Sequence, residues 1–154
     1  MVRVLGFRVE PQRVHWAVAE GTQKEPLVYA HDKAAAPVNA AEAAALAWYR
    51  ERTRHLLSTY DPSVVVIRAS EPIARARGEG PRRRLRIEGV LMEATHSFGL
   101  NAETVALKSI SSRLGSDSAK KYVAGSEFRG VKLSGLPTEA REAILAAISL
   151  LPSD

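Results

Sequence analysis

VLGFRVEP, residues 4–11, carries apolar side chains on both faces of an extended segment: Val2 and Val4 with Gly6 on one, Leu5, Phe7 and Val9 on the other. A strand that is apolar on both sides belongs in the interior of a sheet. Arg8 breaks the pattern, on the same face as Gly6 and Glu10 by alternation. Pro11-Gln12 is a turn, and Val14-His15-Trp16-Ala17-Val18-Ala19 predicts a second strand, so residues 2 to 19 read as a hairpin that Gly21 ends. Pro26-Leu27-Val28-Tyr29-Ala30 predicts a third strand after a short polar turn. Three successive strands of this kind make an antiparallel meander.

The period then changes. Asn39-Ala40-Ala41-Glu42 has capping-box spacing, with Pro37 just upstream. It predicts a helix running to about Thr59, with Leu46, Tyr49, Thr53, Leu56, Leu57 and Tyr60 at three- and four-residue steps. Asp61-Pro62 stops it. Val64-Val65-Val66-Ile67 is a run of β-branched apolar residues, the pattern of a strand buried on both faces and reached by a crossover helix.

Residues 68 to 86 hold seven arginines: Arg68, Arg75, Arg77, Arg82, Arg83, Arg84 and Arg86. Pro72, Gly78, Gly80 and Pro81 break regular structure there. A helix is expected from near Pro81, a good first-turn residue, to Phe98, with Gly99 as its stop and Ile87, Val90, Leu91, Ala94 and Phe98 as its apolar stripe. Glu103 to Leu107 predicts a fifth strand and Asp117 to Val123 a short helix. Thr138 is the expected N-cap of a last helix, Glu139 to Leu151. The fold class is therefore α/β: a five-stranded mixed sheet in the order β-β-β-α-β-α-β-α-α, flanked by helices.

The 154 residues suit one domain spanning 1–154, large enough to bury a core. No cysteine is present, which excludes disulfides and thiolate metal sites and suits a reducing cytoplasm. No apolar run reaches the ~20 residues of a membrane span, and the N-terminus reads straight into a strand without the look of a signal peptide. Lysine and arginine total 22 against 17 acids, a net charge of +5 that admits a polyanionic partner. The abundance of arginine and alanine also fits a GC-rich genome.

The element order resembles the ribonuclease H-like fold, and particular segments resemble its RuvC-like branch. In RuvC-type Holliday-junction resolvases the first strand reads like ILGIDPG; VLGFRVE has the same hydrophobics and glycine, with Arg8 at the aspartate position. The family's fourth strand ends in an acid, as in VAIE; VVVIRAS, residues 64–70, puts Arg68 there. Residues 84–110, RLRIEGVLMEATHSFGLNAETVALKSI, are similar to the family's arginine, x-Gly-Val, small residue, Gly-Leu, then a strand leading to a lysine. The family's last helix carries two acids three apart, as in DAADALA; EAREAILAA has Glu139 and Glu142 at that spacing. The chain is also similar to bacterial RuvC-like proteins with basic residues in place of the fourth-strand acid, followed by a Gly-rich basic segment.

The resemblance implies a site at Arg8, Arg68, Glu139 and Glu142, where relatives clamp two divalent ions, Mg²⁺ or Mn²⁺, between carboxylates. A guanidinium has no lone pair for a metal and stays charged. The expectation is a non-catalytic, nucleic-acid-binding protein, a pseudonuclease without catalytic residues, metal or cofactor. Two arginines and two glutamates would pair where the ions stood. Arg75, Arg77, Arg82, Arg83, Arg84 and Arg86 would contact the phosphates of DNA or RNA.

Two alternatives stay open. One is a nuclease whose carboxylate site has moved about 7 Å along the strand to Glu10, Glu71, Glu139 and Glu142, with Mg²⁺ or Mn²⁺ between Glu10, Glu139 and Glu142. The other is a scaffold subunit with a protein partner; a homodimer, as in RuvC resolvases, is also admitted. Plainer readings stand beside these. Arg8 is a solvated strand residue, Glu139 and Glu142 are first-turn glutamates favoured by the helix dipole, and the arginine run is a solvated loop. Trp16, Trp48 and Tyr49 read as core rather than as stacking platforms. His15, His31, His55 and His96 show no ligand spacing.

Overall fold

The computed structural model describes residues 2–70, 78–115 and 119–154. Strands β1 (Arg3–Val9), β2 (Val14–Gly21) and β3 (Pro26–Ala34) form the meander. Helix α1 (Glu42–Tyr60) leads to β4 (Val64–Arg68), and α2 (Glu79–Ser97) to β5 (Ala102–Val105). Then come α3 (Leu107–Arg113), α4 (Ala119–Val123), a small hairpin of β6 (Glu127–Phe128) and β7 (Val131–Lys132), and α5 (Thr138–Ser149). The five-stranded sheet has the order β3-β2-β1-β4-β5. β1 lies at its centre, antiparallel to β2 and parallel to β4, and β4 is parallel to β5.

Alternation along β1 divides the core in two. Leu5, Phe7 and Val9 join Trp16, Val18, Val65 and Ile67 beneath α1 and α2, against Tyr49, Leu56, Leu57, Ile87 and Leu91. Val4 joins Ala17, Ala19 and Val66 on the opposite face, under Ile144, Leu145, Ala147 and Ile148 of α5. Gly6 lies on this second face. A Cβ placed on it would stand 2.5 Å from the Ala143 carbonyl oxygen and 2.8 Å from the Ala147 nitrogen. The glycine is what lets helix backbone rest on strand backbone.

Four expectations need correction. Asn39 does not cap α1: it sits at φ +69° in a turn closed by the Ala40 N–H on the Pro37 carbonyl, and Ala41 takes the N-cap position without a side-chain bond. Asparagine tolerates the left-handed conformation, so it serves the turn. Thr138 is the first residue of α5, not its cap, which is Pro137. Phe98 ends α2 half-exposed, while the charged Glu88 is buried. Finally α3 and the β6–β7 hairpin add to the expected order; they are too short to print a period in the sequence. Among the described residues, no helix is long and apolar enough to cross a membrane.

Candidate functional site

Because β1 and β4 run parallel with Arg8 opposite Arg68, both guanidiniums leave the sheet at the same strand ends and on the α5 face. The close approach at Gly6 brings the first turns of α5 over them. Glu142 Oε2 lies 2.8 Å from Arg8 Nε and 3.2 Å from Arg68 Nε, with the side chains 9%, 9% and 6% exposed for Glu142, Arg8 and Arg68. The Ala69 carbonyl accepts from Nη1 of both arginines, at 3.4 Å from Arg8. The Arg8 Nε–Glu142 approach is a contact of charges whose N–H does not align as a hydrogen bond. Burial pushes the Arg8 pKa down from its ordinary value, and the Arg68 charge pushes the same way; Glu142 opposes both, with smaller effects from Arg84 (lowering) and Glu88 (raising).

Glu139 does not join this cluster. It lies instead beside Glu10, at the end of β1, and His15, which faces Arg8 across the hairpin. His15 Nε2 is 2.5 Å from Glu10 Oε2, and its side chain is only 3% exposed. One ligand atom from each of Glu10, His15 and Glu139 lies within 4.8 Å of the others. The expected set of Glu10, Glu139 and Glu142 is therefore divided: Glu142 goes to the arginines and His15 takes its place. Sequence reasoning missed His15, although the signal existed. A hairpin that turns at Pro11-Gln12 brings residue 15 opposite residue 8.

The arginine run reaches the same cleft from α2. Arg84 acts on Arg8 through its charge, and its own Nε is buried without a hydrogen bond among the described residues. Four residues on, Glu88 accepts from the Ser70 N–H at 3.4 Å and from its hydroxyl. Arg82 is exposed. Arg86 meets Glu79 at 2.6 Å and Glu42 of α1 at 3.3 Å, and Arg83 approaches Glu42 at 4.0 Å. The Arg86 hydrogen bond, before its charge, holds Glu79 below the usual carboxylate range. These pairs are open to solvent and contribute little to stability. Arg75, Arg77 and Glu71 lie outside the described residues. Trp16 and Tyr49 are core, and Trp48 is half-buried under the Arg52 guanidinium, 5.0 Å from its ring centre.

The positions that would clamp two divalent ions do not fit them. Two of the four are guanidiniums, and the remaining inward carboxylate already faces both. Hard cations need oxygen donors in that space; here it holds fixed positive charge.

A mixed sheet with β1 flanked by β2 and a parallel β4, capped on one face by α5, is the ribonuclease H-like fold in its RuvC form. The chain is similar to the Thermus thermophilus RuvC structure, with a TM-score of 0.79 and 15% identity over 96% of this chain and 92% of that one. It is similar also to T. thermophilus RuvC in complex with Holliday junction substrate (0.78, 13% identity, 97% and 92% covered). A third likeness is to the yeast mitochondrial Holliday junction resolvase Ydc2 (0.64, 13% identity, 96% and 77% covered). At these identities what is shared is the fold. No protein-family model and no curated protein matches the chain.

Proposed function

We propose that the protein binds nucleic acid through its arginine-lined cleft and does not cut it by the two-ion route. What supports this is the Arg8–Glu142–Arg68 cluster: if the resemblance to RuvC resolvases holds residue by residue, guanidiniums stand where that route needs carboxylates. Arginine suits the remaining task, since its planar fork matches phosphate oxygens and cannot be discharged. Arg82, Arg83 and Arg84 line the approach, and Arg83, held only at 4.0 Å by the half-buried Glu42, is weakly committed and available to a phosphate. The RuvC neighbour's complex with Holliday junction substrate makes branched DNA the first ligand to try.

The test is fluorescence anisotropy across a salt series, on junction, duplex and single-stranded DNA and on RNA. Affinity is expected to fall with salt at a log–log slope of about −0.9 per phosphate contact on duplex DNA. Changing Arg82, Arg83 and Arg84 together to alanine should weaken binding alike for all sequences and flatten that slope by about 2 to 3. Binding that ignores the triple change, or no binding at low salt, overturns the reading in favour of a protein-binding scaffold. Incubation with Mg²⁺ or Mn²⁺ should leave every substrate uncut. Cleavage that disappears in Glu139→Gln would instead establish a nuclease whose metal site has moved.

A further inference from the structure

We propose that Glu10, His15 and Glu139 form a binding site for one divalent transition-metal ion, Mn²⁺ or Zn²⁺ in kind, beside the Arg8–Glu142–Arg68 cluster and distinct from it. The inference does not depend on nucleic-acid binding. The three side chains come from three elements, each held by its backbone. His15 lies within β2 and is 3% exposed at its side chain, so its ring is fixed. Glu10 sits in the tight turn after β1, its N–H bonded to the Arg13 carbonyl at 2.8 Å. Glu139 is in the first turn of α5. Their donor atoms lie within 4.8 Å of one another. Around a four-coordinate ion with bonds of about 2.1 Å, ligand atoms stand roughly 3.4 Å apart. The glutamates need only rotamer-scale movement to reach that spacing around an immobile imidazole.

The charges point the same way. Glu139 has no ion pair among the described residues, and Glu10 is paired with His15 alone. Two of the basic neighbours are committed elsewhere, while Lys33, opposite His15 in β3, is exposed. Arg8 meets Glu142, and Arg141 donates to the carbonyls of Leu136, Val123 and Gly125. Two carboxylates are thus gathered around one buried imidazole, and among the described residues neither is ion-paired to an arginine or a lysine. One nitrogen and two carboxylates form a set softer than the all-oxygen shells of Mg²⁺ and Ca²⁺, which is why a first-row transition metal fits it.

The experiment uses the full chain, stripped with chelator and free of nucleic acid. Zn²⁺ is titrated by calorimetry and Mn²⁺ by electron paramagnetic resonance, with thermal unfolding followed at each Zn²⁺ concentration. The expected result is one ion per chain and a melting temperature that rises with Zn²⁺, since an ion bound only by the folded state stabilises it. Glu139→Gln and Glu10→Gln should each weaken binding at least tenfold, while Glu79→Gln on the surface of α2 should leave it unchanged. Should Glu10→Gln fail to fold, Glu139→Gln decides alone, because its side chain lies at a helix end where the change is tolerated. Binding unaltered in Glu139→Gln, or no binding below millimolar metal, overturns the proposal.

Discussion

Glu142→Ala is expected to destabilise the protein by about 3–5 kcal/mol, the usual cost of removing one partner from a buried charge cluster. Glu142 is the carboxylate that both Arg8 and Arg68 approach, and all three side chains are nearly closed to water. Without it two guanidiniums, which cannot shed their protons, face each other across adjacent strands. Burial already pushes the Arg8 pKa down, a sign that the fold holds this charge against its preference for water. For a chain of this length, each kcal/mol lowers the melting temperature by about 2–4 °C, so the loss should exceed roughly 6 °C. The complementary variant separates charge from shape. Arg8→Met, Arg68→Met and Glu142→Leu together should be near neutral or stabilising, as apolar replacements of buried ion clusters often are. Urea unfolding of both variants measures this. A loss below about 1 kcal/mol in Glu142→Ala would mean that water reaches the cluster and screens it.

Gly6→Ala should be nearly as damaging for a different reason. The added methyl meets the Ala143 carbonyl at 2.5 Å and the Ala147 nitrogen and Cβ at 2.8 and 2.9 Å. Two of these are backbone atoms of a helix, which cannot rotate aside. Either α5 lifts from the sheet, opening the core around Ile144 and Ile148, or β1 bends away from β4. Overpacking of this kind costs about 3 kcal/mol. The same displacement carries Glu139 away from Glu10 and His15, so metal affinity and stability should fall together in this variant. Thermal melts and a crystal structure would show it; an unchanged melting temperature would mean that the helix moves freely on the strand.

The fold was legible because its central strands are written in an unambiguous pattern. Val64 to Ile67 can only be buried on both faces, and β1 alternates around a glycine. Arg8 and Arg68 were legible as an interruption of those two strands at matching ends. The distribution of Glu139 and Glu142 was not. Residues three apart share a helix face, yet lie nearly one turn apart along its axis. Here that offset puts Glu142 over the sheet's arginines and Glu139 at the hairpin end. The pairs of Arg83 and Arg86 with Glu42 were hidden too, because they depend on how α1 crosses α2, which no single helix pattern records. His15 required the hairpin register rather than the spacing of histidines along the chain.

The two arginines at the strand ends change what the cleft needs from its surroundings. A carboxylate clamp is an apparatus with a removable part: its positive charge arrives as dissolved ions and leaves with a chelator. In this protein the positive charge at the strand ends is part of the polypeptide, present from the moment the chain folds. Attraction for an anion in that cleft should therefore persist in EDTA, because no dissolved ion has to arrive to create it.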